Sequence, residues 1–132
     1  MRTLLDTHAW LWWVSEDRRL SFRAKAAIEK SQQADDLWVS LISIWELAKK
    51  VEKEQLVLDR PLDQWLDEAA ALPGLHLADL TRPILVESCQ LPPPFPGDPA
   101  DQIIVATARH EDAILVTRDQ KMRGYSHVRS LW

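Results

Sequence analysis

The chain has 132 residues, close to one typical domain of roughly 100–150 residues and long enough to bury a core without staples. Its composition, 46% hydrophobic and 27% charged, excludes fibrous and disordered classes. A net charge of −4 argues against a broad nucleic-acid-binding surface unless bound cations neutralise some of the acids, and the lone Cys89 can form no internal disulfide, which suits a reducing cytoplasm.

Residues 3–5 are apolar and β-compatible, and 7–14 begin a helix. Asp6 and His8 interrupt this apolar start and no small-residue cleavage site follows, so it reads as part of the fold rather than a signal peptide. No stretch is long and apolar enough to suggest a membrane span. Residues 21–31 are a helix rich in Ala, Lys and Glu; 37–40 are a second strand; 42–54 form an amphipathic helix with Ile44, Leu47, Ala48 and Val51 at helical spacing. A helix over 62–72 is stopped by Pro73-Gly74, and 75–80 are a third strand. Thr81 caps a helix running through Cys89 and Gln90, and 91–97, with four of the eight prolines, is a loop. A strong helix over 99–110 and a strong strand over 113–117 follow, with a short last strand at 126–129. Strands separated by helices of this length predict an α/β domain: a parallel sheet of about four to five strands with helices on both faces.

In open parallel sheets, ligands bind beyond the carboxyl ends of the strands, where the strand order switches. Asp6 directly follows the first strand, Glu46 lies early in the helix after the second, and Asp119 stands two residues past the strand 113–117. Asp101 is in the first turn of a helix that runs antiparallel to the strand it feeds, so it too belongs at the carboxyl edge. Four acids distant in sequence therefore converge on one rim. Crowded carboxylates raise one another's pKa, and a divalent cation relieves the conflict. Oxygen-only ligation suits Mg²⁺ or Mn²⁺, and no Cys pair or HExxH spacing supports zinc. Such a site favours hydrolysis of a phosphodiester.

Each acid also has a purely structural reading. Ser43-x-x-Glu46 fits a capping box, and Asp98-Pro99-Ala100-Asp101 fits a helix start with Asp98 as N-cap. Asp119 suits a turn, and Asp6 suits a cap. Thr117 and Ser40 bring hydroxyls to the same rim, where they orient a carboxylate or simply complete strand-end hydrogen bonds. Asp98 is open between a cap and a role beside the site.

The blocks Leu4-Leu5-Asp6-Thr7-His8, Ser43-Ile44-Trp45-Glu46-Leu47, Asp98–Ala108 and Leu115-Val116-Thr117-Arg118-Asp119, in this order and spacing, resemble PIN-domain ribonucleases, and more narrowly the VapC-type toxins of bacterial toxin–antitoxin pairs. The similarity runs nearly end to end, through Tyr125 and Leu131-Trp132, and implies one PIN-like domain over 1–132. It implies a cytoplasmic Mg²⁺- or Mn²⁺-dependent endoribonuclease, commonly a homodimer, acting on RNA and neutralised by an antitoxin protein. The family's acids fall on Asp6, Glu46, Asp101 and Asp119, and its threonine on Thr117. The chain departs from the pattern at Gln102, where similar toxins often carry Arg, and in the segment 94–97, where they often have His. Both changes bear on substrate contacts rather than on the chemistry.

Seven tryptophans remain to be placed. Trp10 and Trp13 share a helical face and read as core; Trp12 points away from it and is the better candidate for stacking on an RNA base, ahead of Trp45. His8 is either a proton carrier or a hydrogen-bonded structural residue. Lys49 and Lys50, a turn beyond Glu46, fit phosphate contacts and a solvated face equally. Three other readings compete. A phosphatase wants a second Asp where His8 stands, and a receiver domain wants paired acids after the first strand. A PIN-like module without catalysis fits poorly with four acids present, and a dinucleotide site lacks its glycine pattern.

Overall fold

The computed structural model describes residues 2–95 and 97–132. Pro96, within the expected 91–97 loop, lies outside the described residues, as does Met1. Five strands, β1 (Thr3–Leu5), β2 (Leu37–Ser40), β3 (Leu75–Ala78), β4 (Ile114–Val116) and β5 (Ser130–Leu131), form one sheet in the order β3-β2-β1-β4-β5. All pairs are parallel, with Leu5 set between Val39 and Val116. The helices are α1 (Thr7–Val14), α2 (Phe22–Gln33), α3 (Leu41–Glu52), α4 (Leu62–Ala70), α5 (Arg82–Ser88), α6 (Pro99–His110) and α7 (Gln120–Arg123).

The two-residue period of a strand divides the core. Leu5, Leu37, Val39 and Val116 pack on one face with Trp10, Ile28, Leu47 and Trp65. Leu4 and Leu115 point the other way, onto Ile104, Val105, Ala108 and Tyr125. The expected parallel sheet with helices on both faces is thus what these residues build, and the short runs Thr-Leu-Leu and Ile-Leu-Val are apolar at successive positions because both faces are covered. No helix among the described residues is long and apolar enough to cross a membrane.

Connectivity creates the feature that matters. The chain steps outward from β1 to β2 to β3, then returns to the other side of β1 for β4 and β5. The switch point lies between β1 and β4, where ligands bind in open parallel sheets. The backbone N–H of Asp6 donates to Val116 O at 3.1 Å, fixing the ends of these two strands side by side. Gly74 closes the approach to β3: its φ is +79°, and a Cβ there would meet Gln32 O at 2.2 Å.

Most elements shift by one or two residues at their ends, and the C-terminal part differs more. The last strand is Ser130–Leu131, not 126–129, because β4 takes its partner where Leu131 and Trp132 reach the core. The turn before it is closed by Tyr125 O accepting from Val128 N at 3.4 Å. The segment after β4, expected as a turn around Asp119, contains the short helix α7.

Candidate functional site at the sheet switch point

At the carboxyl edge of β1 and β4 a cleft of about 470 Å³ opens. Asp6, Glu46, Asp98, Asp101 and Asp119 all line it, joined by His8, Lys50, Arg118 and Gln120. They come from the ends of β1 and β4 and the helices α1 and α7 that follow, from α3, and from the start of α6. The four acids expected to meet at one rim therefore share one cleft, with Asp98 as a fifth.

Each acid is held differently. Asp6 is buried and is the N-cap of α1: Oδ1 accepts from Ala9 N at 2.7 Å, and Oδ2 accepts from the Thr117 hydroxyl at 2.5 Å. Thr117 Oγ1 in turn accepts from Asp119 N at 3.0 Å, so one buried hydroxyl ties the acids after β1 and β4 together. Asp119 caps α7 through Oδ1, which accepts from Lys121 N and Met122 N at 2.8 and 3.2 Å. Asp98 is the N-cap of α6, accepting from Asp101 N at 3.1 Å, as its position before Pro99 suggested. The Asp101 carboxylate has no hydrogen-bond donor among the described residues.

Glu46 departs from expectation. Helix α3 begins at Leu41, with Ser40 as N-cap accepting from Ile42 N at 3.2 Å, so Ser43 and Glu46 form no capping box. The helix starts earlier than a Ser43 cap requires, and Glu46 instead turns sideways and accepts from the Thr7 hydroxyl, which also lies 2.9 Å from Ser43 Oγ. Thr7 is therefore the buried residue that aims Glu46 into the cleft, a role the sequence reading missed. Its only signal was a polar residue next to Asp6 in an otherwise apolar start.

The electrostatics follow from burial and crowding. Burial pushes the Asp6 carboxyl up to about 6, against the lowering effect of Thr117 and Ala9, with Glu46 and Asp119 adding repulsion. Asp101 is pushed up to about 7, first by desolvation and then by Asp98, Glu46, Asp119 and Asp6. Glu46 is raised by burial, although the Thr7 hydrogen bond opposes this. His8 is held below its ordinary value by partial burial and by Lys50 and Arg19. Such perturbed groups in one cleft mark a functional site.

Among the described residues, no three His, Cys, Asp or Glu side chains already stand in a metal-binding arrangement; the carboxylates ring the cleft rather than meet at a point. Their chemistry nonetheless fits a hard divalent cation. The acidic donors are all oxygens, Asp101 has no hydrogen-bond donor, and the group carries mutual repulsion that a cation would remove.

A family model for the PIN domain matches residues 3–128. The chain belongs to the PIN-domain family. It is similar to Ribonuclease VapC22 of Mycobacterium tuberculosis, 40% identical over 126 residues that cover 96% of this chain and 93% of that protein. Among solved structures it resembles a toxin–antitoxin complex from Klebsiella pneumoniae, with TM-score 0.65 and 25% identity over 96% of this chain and 94% of that one. VapBC2 from Rickettsia felis, bound to a DNA fragment from its promoter, shares the fold at TM-score 0.71 and 18% identity over 99% and 98% of the two chains.

Within this PIN domain, the neighbouring residues sort themselves. Trp12 is 7% exposed, against the expectation that it points outward. It meets Trp132 edge-on at 5.9 Å and lies beneath the guanidinium groups of Arg19 and Arg118, so it forms part of the cleft wall. Trp10 is buried as expected, Trp13 is only partly buried against the same core, and Trp45 is 55% exposed. The two lysines divide: Lys49 pairs with Glu52 at 2.8 Å, whereas Lys50 lines the cleft.

Proposed function

We propose that the chain is an endoribonuclease that hydrolyses RNA phosphodiesters with Mg²⁺ or Mn²⁺, and that it is the toxin of a toxin–antitoxin pair. The observation that carries this reading is the convergence of five carboxylates from separate elements on one cleft at the sheet switch point. The similarity to a named ribonuclease and to toxin–antitoxin complexes supports the substrate and the antitoxin partner. On this reading residues 1–132 work as one PIN unit, in the cytoplasm and as a homodimer.

Asp6, Glu46, Asp101 and Asp119 would hold the cation. When bound, it supplies water activation and charge neutralisation at phosphorus. The chain's own residues do the rest. Thr117 keeps Asp6 Oδ2 in position through its hydroxyl, and Thr7 does the same for Glu46. Asp6 and Asp119 each commit Oδ1 to a helix cap; the second oxygen of Asp119 remains for ligation. Asp101, which no hydrogen bond occupies among the described residues and whose carboxyl burial and neighbouring acids push up to about 7, would be held in its charged form by the cation. Lys50 and Arg118 offer positive charge to the phosphate.

The test is cleavage of mixed structured RNAs by the purified protein in Mg²⁺ or Mn²⁺ and in EDTA, beside a folded Asp101→Asn variant. Metal-dependent cleavage that disappears in the variant, with 5′-phosphate and 3′-hydroxyl ends, is the expected result. Equal cleavage by both proteins, or a 2′,3′-cyclic phosphate product, overturns it, since the latter means attack by the RNA's own 2′-hydroxyl.

A further inference from the structure

A second cleft of about 470 Å³ adjoins the acidic one, and Gln120 lines both. Arg23, Arg123 and Trp132 line this second cleft, and no carboxylate side chain does so among the described residues. The wall between the clefts is aromatic: Trp12, on the acidic side, touches Trp132, on the basic side, edge-on at 5.9 Å. Arg118, on the acidic side, stands 5.8 Å over the Trp12 ring of this wall.

The two arginines are free to act on a ligand. Neither makes an ion pair among the described residues, whereas Arg2, Arg19, Arg60, Arg109 and Arg129 all do. Arg23 also stands in the first turn of α2, which holds no acid there. A cation at the positive end of a helix is electrostatically disfavoured unless an anion answers it. Helix α2 feeds β2, so its N-terminus lies at the carboxyl edge of the sheet, on the same rim as the acidic cleft. A net charge of −4 thus conceals a separation, with acids gathered in one cleft and unpaired arginines in the next.

We infer that this second cleft is a subsite for the RNA backbone flanking the cut, in which Arg23 and Arg123 take phosphates and Trp132 offers ring surface to a base of a single strand. Unpaired cations beside an aromatic ring are the elements of single-strand recognition. The inference rests on the nuclease reading for the identity of the ligand, but its test does not require catalysis.

Binding of a fluorescent, mixed-sequence single-stranded RNA 12-mer is titrated in EDTA at several salt concentrations. The proteins are the wild type, Arg23→Gln/Arg123→Gln, and the charge-matched control Lys30→Gln/Lys53→Gln, whose lysines lie toward the opposite edge of the sheet. Each phosphate contact to a single strand contributes about 0.7 to the slope of log K against log salt. The arginine pair therefore lowers the slope by about 1.4, and the lysine pair leaves it unchanged. Equal slopes for the two double variants, or no binding by any protein, overturn the subsite. So does equal sensitivity on an RNA duplex, which would make the patch a general polyanion surface. If the arginine pair alters binding of an Asp/Glu-rich peptide and not of RNA, the cleft receives a protein instead, and the inference also falls. Absence of metal-dependent cleavage with a specific slope change refutes the nuclease reading and leaves the subsite standing; cleavage with an unchanged slope refutes the subsite alone.

Discussion

Replacing Asp101 by Asn should abolish cleavage and, in the absence of metal, make the protein more stable at alkaline pH. The Asp101 carboxyl titrates near 7 in the fold against 3.8 for the ordinary group. A raised carboxyl pKa means that the fold is favoured while the group is protonated. That advantage is complete below about pH 4 and is lost as pH rises through 7. About three pKa units correspond to an upper limit of about 4 kcal/mol. Asp101 is only partly buried, so solvent screening reduces this. The carboxylate also gains about 0.3–1 kcal/mol from the N-terminus of α6, which Asn forgoes. The variant should therefore gain about 1–2 kcal/mol at pH 8, raising the melting temperature by about 5 °C, and gain nothing at pH 4. Thermal and urea unfolding in EDTA at both pH values read this directly. Saturating Mn²⁺ at a hundred times its dissociation constant should then stabilise the wild type by about 2.7 kcal/mol and the variant far less, reversing their order. A variant that is less stable than wild type at pH 8 in EDTA, or a difference that does not grow with pH, would refute the claim that burial and neighbouring acids disfavour the Asp101 carboxylate.

Other expectations test the supporting residues. Thr117→Val removes the hydroxyl that donates to Asp6, a bond to a charged group worth about 1.5–3 kcal/mol; without it the Asp6 carboxyl rises further, so the acid limb of the pH–rate profile should move up by about one unit. Thr7→Val leaves Glu46 without its donor, and single-turnover cleavage should slow while circular dichroism stays native. Trp10→Ala empties a fully buried site whose Nε1 donates to Ala69 O at 3.3 Å; chemical unfolding should show a loss of about 3–5 kcal/mol. Gly74→Ala, at φ +79° and against Gln32 O, should cost more than about 1 kcal/mol by the same measurement.

The parts of this fold that were legible in the sequence are those where the local pattern and the tertiary environment agree. Helix α6 has an Asp-Pro start and an apolar stripe, and forms where its sequence says. Strands β1, β2 and β4 are short apolar runs ended by polar residues that cap the next helix or turn. What was hidden depends on partners far along the chain. The start of α3 is set by Ser40 rather than Ser43, and Glu46 is claimed by Thr7, 39 positions away. Trp12 is buried because Trp132 and two arginines cover it, which a helical wheel of α1 alone cannot show. The last strand is chosen by its fit against β4, since Ser126–Arg129 and Ser130–Leu131 are equally plausible as isolated peptides.

The acids are harder to read from sequence, because a structural and a functional role fit each of them. Asp6 and Asp98 are the helix N-caps that their structural readings name, and Asp119, expected in a turn, is an N-cap as well. Yet a cap uses one carboxylate oxygen and the positive end of one helix, and it stabilises the charged form that a cation needs. At the switch point, the loops after β1 and β4 and the first turn of α6 come to the same rim, so their caps become neighbours. The capping bonds hold these acids in place beside Asp101, whose carboxyl is raised to about 7 first by its own burial and then by their charge. Asp101 and Glu46, which cap nothing, then complete the ring. The fold thus holds three like charges rigidly where they would otherwise turn away from one another, and that rigidity is what would keep the site shaped for a cation before one arrives.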